Sequence, residues 1–382
     1  MRICLVYDCL FPHTVGGAER WYRRLAERLA ADGHEVIYLT LRQWDRGADP
    51  GVAGVDVRVV GPRMALYAGS GPRRVLPPLA FGAGVLWQLL RHGRRYDVVH
   101  TCSFPYFSLL AAALAAPVGR YRVVVDWFEV WSRAYWREYL GRAGGELGWL
   151  IQRLCVLVPQ RAFCFSRLYA GRLRAEGLRG EITMLAGAYD GPLAARPTAG
   201  RPESLVVFAG RHIPEKRVPA IVPAIACARE RVPGLRALIL GDGPERERVR
   251  AAVTEAQLGD AIDVPGFVTT EAVDDAIGRA LCMLLPSRRE GYGLVVVEAA
   301  SRGTPSIVVA GEDNAAAELI EDGVNGFVSP SDSPQDLADA ICRVEQAGAE
   351  LRRRTAVWFR DSARRLSLEG SLETALAIYR SR

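Results

Sequence analysis

The chain has 382 residues, room for two to three domains of about 150 residues each, so a disulfide-stapled mini-protein is excluded. With 49% apolar and 24% charged residues it has the composition of an ordinary globular α/β enzyme rather than of a disordered chain. A net charge of +6 would admit a nucleic-acid or anionic-membrane partner. However, the arginines are scattered among acids over most of the chain and no recognition motif appears, so no nucleic-acid partner is expected.

Short Val/Ile/Leu runs alternate with longer helical stretches, the mark of parallel sheets covered on both faces. Residues 2–7, 35–40, 97–100, 122–126 and 161–165 read as strands of a first sheet; 204–209, 236–240, 281–285 and 305–309 read as strands of a second. The Gly- and Pro-rich stretch 191–202 reads as a linker. The reading is two doubly wound α/β domains, 1–196 and 197–364, facing a central cleft, with a C-terminal helix at about 365–382 packing back on the first. The opening MRICLVYD reads as a strand rather than a signal peptide, and the eight cysteines lack CxxC or metal-ligand spacing, so reduced thiols in the cytoplasm are expected. Two uncharged runs, 75–90 and 101–119, approach the length of a membrane span, but both contain proline and read as buried strand and helix.

Three segments carry candidate chemistry. Gly16-Gly17 sits where the first strand hands over to a helix, so its backbone could approach a ligand; a tight turn fits equally. In VVFAGRHIPEKR, Arg211 and Lys216 stand just past a strand end with Pro214 between them, two cations suited to a diphosphate or to a solvated surface. Of 49 basic residues, Lys216 is the only lysine. The segment PSRREGYGLVVVEAASRG places Glu290 before the turn Gly291-Tyr292-Gly293 and Glu298 one turn into a helix starting near Leu294. A helix start favours phosphate oxygens, and carboxylates accept from sugar hydroxyls.

In combination, GGAE (16–19), GRHIPEKR (210–217), GDGPE (241–245), PS (286–287), the E-x7-E pair 290/298 and AELIEDGVNGFV (317–328) resemble the retaining, nucleotide-sugar-dependent glycosyltransferases of family 4 over essentially the whole chain. The resemblance implies the GT-B fold of two Rossmann-like domains, with the donor held mainly by the second domain and the acceptor mainly by the first. It implies that Glu298 binds the ribose, Glu290 lies by the transferred sugar, and Arg211 and Lys216 hold the diphosphate. It further implies that Gly291, Tyr292, Gly293 and Leu294 contact sugar and phosphate, and that Gly16 and Gly17 close over the donor. No Asp-x-Asp occurs, so positive side chains are expected to replace a metal clamp, and no cofactor or metal is expected. Where many members have His-x-His, this chain has His100 and then Cys102, which leaves His100 as the candidate catalytic histidine. In VVVDWFEVWSRAYWREYLG, Phe128 replaces the histidine of a WHEVW-like stretch; Asp126, Glu129 and the aromatics Trp127, Trp131 and Trp136 then read as an acceptor wall, an aromatic helix in the core being the other reading.

The expected function is transfer of a sugar from a nucleoside-diphosphate sugar to a sugar, lipid-linked or small-molecule hydroxyl with retention, in cell-envelope glycan or natural-product glycoside synthesis. A nucleotide-sugar epimerase on the same fold and a catalytically silent binding subunit are the alternatives. Arg63, Arg73, Arg74, Arg91, Arg94 and Arg95 bracket Val75, Leu76, Phe81, Leu86 and Trp87, a layout that suits peripheral contact with the inner face of an anionic membrane or, more simply, a buried helix.

Overall fold

A computed structural model describes residues 1–14, 16–45, 47–65, 74–195 and 202–380. The chain forms two compact units: Met1–Ala188 with Gly370–Arg382, and Tyr189–Glu369.

In the first unit β1 (Arg2–Val6), α1 (Gly17–Ala31), β2 (Glu35–Thr40), β3 (Val55–Val59), α2 (Leu76–His92), β4 (Val98–Cys102) and α3 (Tyr106–Gly119) are followed by β5 (Arg122–Trp127), α4 (Arg133–Val156), β6 (Arg161–Cys164), α5 (Arg167–Ala175) and β7 (Ile182–Met184). The seven strands run parallel in the order β3-β2-β1-β4-β5-β6-β7. β4 is buried at every position, which is why its sequence is continuously apolar apart from His100 and Thr101. Ser132 and Ser166 start α4 and α5 by accepting from Tyr135 N and Tyr169 N, and Gly141 breaks the helical path inside α4.

The second unit contains β8 (Leu205–Ala209), α6 (Ile221–Arg229), β9 (Arg236–Leu240), α7 (Arg246–Glu255), β10 (Ile262–Gly266), α8 (Thr270–Arg279), β11 (Cys282–Leu285) and β12 (Arg289–Glu290). It continues through α9 (Leu294–Ser301), β13 (Ser306–Val309), β14 (Asp313–Asn314), β15 (Gly326–Ser329) and α10 (Pro334–Leu366). Its main sheet is parallel, β10-β9-β8-β11-β13-β15, with β12 and β14 paired separately. Alternate residues of β8 serve opposite cores: Val206 and Phe208 pack with α6 and α10, Leu205 and Val207 with Ala276, Ile277 and Ala280. The strand order reverses between β1 and β4 in one sheet and between β8 and β11 in the other. These are the topological switch points at which open α/β sheets bind ligands.

Two boundaries differ from the expected ones. The units divide at 188/189 rather than 196/197, because Tyr189 N donates to Leu366 O and Leu368 N to Tyr189 O, which binds Tyr189 to the end of α10; the expected junction lies outside the described residues. The C-terminal helix of the first unit is α11 (Leu368–Arg380), separated from α10 by the extended Ser367, and the chain rejoins that unit at Gly370 rather than 365. Arg161 holds α11 through Ile378 O and Ser371 through Gly187.

The run 75–90 is largely α2, and 101–119 combines the end of β4 with α3; among the described residues no helix is long and apolar enough to cross a membrane. Phe81 points into the core, Arg63 pairs with Asp45, and Arg73 lies outside the described residues.

Candidate functional site

The loops that leave β8 and β11, the two strands flanking the second switch point, meet. After β8, Gly210 N donates to Leu240 O and His212 N to Asp242 O, while His212 O accepts from Glu245 N. The GDG turn after β9 therefore rides directly on the GRH turn. Gly241, at φ +116°, lies so close that a Cβ would sit 1.9 Å from Gly210 O, and this contact requires glycine. Arg211 is exposed on this braced turn and its guanidinium has no ion-pair partner among the described residues. His212 is fully buried, edge-on to Phe208, and burial lowers its imidazole pKa.

Pro214–Lys216 forms a single 3-10 turn that brings the lysine back over the sheet. Lys216 Nζ forms an ion pair with Glu290 Oε1, and Ser287 Oγ donates to the same oxygen at 2.8 Å. The pair is mostly withdrawn from water, with 19% of the lysine and 9% of the glutamate side chain exposed. Asn314 holds the loop from below: its Nδ2 donates to Ser287 O (3.0 Å) and Val309 O (2.8 Å), and its Oδ1 accepts from Ala316 N. Glu215 adds a second tie, its carbonyl accepting from Arg288 N and its carboxylate 3.7 Å from Arg289.

Gly291 and Tyr292 continue the turn, half-buried, to Gly293, the N-cap of α9. Gly293 is left-handed (φ +93°) and a Cβ would meet the Ala316 Cβ at 2.5 Å. No side chain caps α9; the Val296 amide donates to Gly293 O, and the amides of Leu294 and Val295 are left for a ligand anion. Glu298 stands one turn down the same helix, half-buried. One strand-end region of the second unit thus carries two cations, a free helix start and two carboxylates, and these can hold a diphosphate and hydroxyl groups.

The residues expected in the first unit are more dispersed. Gly16 is the extended N-cap of α1 and Gly17 its exposed first residue. His100 and Asp126 are both fully buried. His100 Nδ1 bonds the Tyr379 hydroxyl of α11, its Nε2 lies 3.0 Å from Asp126 Oδ1, and Asp126 Oδ2 accepts from Trp21 Nε1 at 2.7 Å. His100 and Asp126, expected as a catalytic group and an acceptor contact, thus have their polar atoms on one another, on Trp21 of α1 and on Tyr379 of α11. Cys102, in the position of the second histidine, is buried, and burial pushes its thiol well up. Glu129 and Trp131 are half-buried, the indole donating to Glu129 Oε2 at 2.8 Å. Trp131 also stacks with Phe104 and packs on Trp136, while Gln152, fully buried, accepts from Trp131 N, Tyr106 and Trp136; Trp127 and Trp136 are buried in this aromatic layer, and Glu129 and Trp131 lie at its partly exposed edge.

Ser287 belongs to a recognised motif, but the role of Asn314 was not legible; its one signal is an Asn before Ala-Ala-Ala-Glu, a helix-cap pattern.

Comparison with known proteins places this geometry. Residues 16–187 match the profile of the Glycosyl transferase 4-like domain, and residues 195–356 that of Glycosyl transferases group 1. The chain is 33% identical over 152 residues to the alpha-D-kanosaminyltransferase of Streptomyces kanamyceticus, covering 40% of this chain and 39% of that protein. It thus spans about two fifths of that curated relative's length. Sucrose-phosphate synthase from Thermosynechococcus elongatus superposes with a TM-score of 0.81 at 20% identity, over 99% of this chain and 98% of the other. HepE of Anabaena, in complex with UDP, does so with a TM-score of 0.72 at 18% identity over 99% of both. With both halves matched and the two-sheet architecture shared, the chain belongs to the GT-B glycosyltransferases of the family 4 type.

Proposed function

We propose that the protein transfers a sugar from a nucleoside-diphosphate sugar to an acceptor hydroxyl with retention at the anomeric carbon. The observation that carries this is the meeting of Lys216, Glu290 and the uncapped start of α9 at the switch point of the second sheet. The diphosphate lies on the α9 amides with Arg211 and Lys216 against it, Glu298 accepts from the ribose hydroxyls, and Glu290 faces the transferred sugar. Preorganised cations and amides stabilise the charge that develops on the leaving phosphate, and no metal is required. The bond from the anomeric carbon to the phosphate oxygen breaks as the acceptor oxygen attacks the same face; the acceptor proton passes to the departing phosphate.

The first unit supplies acceptor contacts, with Glu129 and Trp131 as its accessible candidates. The acceptor class is a sugar, lipid-linked or small-molecule hydroxyl, and the reaction belongs to cytoplasmic envelope-glycan or natural-product glycoside synthesis. That UDP is bound by the HepE structure and that the Streptomyces relative is a kanosaminyltransferase support a nucleotide-sugar donor.

The test is a donor screen with the wild type, Glu298→Ala and Lys216→Ala. The reading expects a nucleotide sugar that binds and turns over, with both variants impaired at least tenfold. Unchanged binding and turnover in both variants would remove the site assignment, and a new sugar isomer formed without acceptor would replace transfer by epimerisation.

A further inference from the structure

The first unit carries an apolar surface that its own packing leaves uncovered. The crossovers from β3 to β4, β4 to β5 and β5 to β6 all run in the same direction across a parallel sheet, and right-handed connection puts α2, α3 and α4 on one face, each packed on the next. On α2 the outward ridge includes Leu76, Trp87 and Leu90, exposed by 66, 66 and 48%. The outward side of α3 presents Leu114 and Val118. Beyond its Gly141 break, α4 continues the layer with Leu147, Leu150 and Leu154 at helical spacing, all about half exposed. Apolar side chains in stripes on three adjacent helices mark an interaction surface, unlike the scattered ones common on monomers.

The charge beside these ridges identifies the partner. From Arg74 to Val125 the chain has six arginines and one acid, Asp97, so this segment carries a net +5 of the chain's +6. Asp97 is engaged, accepting from Arg2 N at 2.7 Å. The last turns of α2 and α3 end together: a Cβ on Gly93 would lie 3.3 Å from Gly119 Cα, and Arg94 donates to Val118 O. Beyond these ends opens a groove of about 780 Å³ lined by Arg94, Arg120, Arg122 and Arg380 together with Met1 and the one acid Asp97; Arg380 lies 4.0 Å from Asp32. A second copy of the chain meeting this face about a two-fold axis would set two such +5 segments against each other.

We infer that this face rests on an anionic phospholipid bilayer, with the ridges of α2, α3 and α4 in the interface and the arginine-lined groove at their edge taking lipid headgroups. The inference is independent of the sugar-transfer reaction, because none of these residues belongs to the site around Lys216 and Glu290.

Vesicle flotation of the full chain tests it, with phosphatidylcholine alone and with 30 mol% phosphatidylglycerol. Binding to the anionic vesicles is expected, at least tenfold above neutral ones and weakened by salt. Two variants, Trp87→Ser/Leu150→Ser/Leu154→Ser and Arg94→Gln/Arg120→Gln, should each cut the bound fraction about tenfold while thermal unfolding and nucleotide binding stay as in the wild type. Equal binding to both vesicle types, no binding to either, or binding that neither variant weakens overturns the inference. A lipid-free dimer in sedimentation analysis that the apolar variant dissolves also overturns it, by assigning the face to a second copy.

Discussion

Lys216 and Glu290, 74 residues apart in sequence, form an ion pair at the point where the second sheet reverses its strand order. The pair joins the loop after β8 to the loop after β11, so the only lysine of the chain is at once a structural tie and a cation at the proposed phosphate site. One proton of its ammonium is given to Glu290; the other two remain for a ligand.

The substitution Lys216→Arg keeps the charge but puts a wide planar fork in place of a compact ammonium whose site, with 19% of the lysine and 9% of the glutamate side chain exposed, leaves little room for it. Steady-state kinetics should show kcat/KM lowered by about 10- to 100-fold, a loss of roughly 1.4–2.7 kcal/mol of transition-state stabilisation. Full activity would mean that position 216 needs only a positive charge and that the lone lysine is incidental.

Asn314 is almost wholly buried and makes three hydrogen bonds that shape the Glu290 loop. In Asn314→Ala the Ser287 and Val309 carbonyls lose their donor, at a cost of about 2–4 kcal/mol. Calorimetry should show a melting temperature lowered by roughly 5–10 °C, and kcat should fall because Glu290 is no longer held. A variant as stable as the wild type would remove Asn314 from the support of the loop.

How legible this was in the sequence depends on burial. The five interior strands of the first sheet and the four of the second all stand out, because burial on both faces makes them continuous apolar runs. The four edge strands, β3, β7, β10 and β15, do not: VDVRV alternates with charge, IDVPG contains proline, ITM has only three residues, and GFVS begins with Gly and ends with Ser. The site divides in the same way. Lys216, Glu290 and Gly293 lie on loops at strand ends, where motif spacing carries over directly into space. His100 stands at the first position of a His-x-His pattern and so reads as a site histidine, but its contact with Tyr379, 279 residues away, is one that nothing local announces.

That contact leads to a separate prediction. Tyr379→Phe leaves His100 Nδ1 buried without a partner and should destabilise the first unit by about 1–3 kcal/mol. At saturating donor and acceptor its kcat should stay within about twofold of the wild type, since the chain from Tyr379 to Trp21 is structural. A variant with unchanged melting and abolished kcat would return His100 to the catalytic residues.

The thiols give a second, independent probe of burial. Seven of the eight cysteines are buried, and only Cys227 on α6 is partly accessible. Burial pushes Cys164 up to about 12 and holds Cys4, Cys155 and Cys282 higher still, so none forms thiolate near neutral pH. Brief iodoacetamide treatment of the native protein at pH 8 should give one adduct, at Cys227, by intact-mass and peptide analysis. Several adducts under native conditions would contradict the packing of both sheets.

His212 makes stability depend on pH in a defined direction. Its burial against Phe208 lowers the imidazole pKa, with Arg246 acting in the same sense and the Leu240 carbonyl and Asp242 opposing. The unfolded chain takes up a proton near the ordinary value of 6.5, where the native protein does not. The contribution is therefore absent above that pH, and stability falls as pH drops from about 6.5 toward the lower native pKa, where the loss levels off. Since His212 bridges the GRH and GDG turns, acid should loosen the loop that carries Arg211. Melting temperatures of the wild type and His212→Phe, compared from pH 7.5 to 5.0, isolate this effect, because His34 and His92, whose pKa values are also lowered, are common to both proteins. The wild type should show the steeper decline; parallel curves would mean that His212 is protonated as readily inside the fold as outside it.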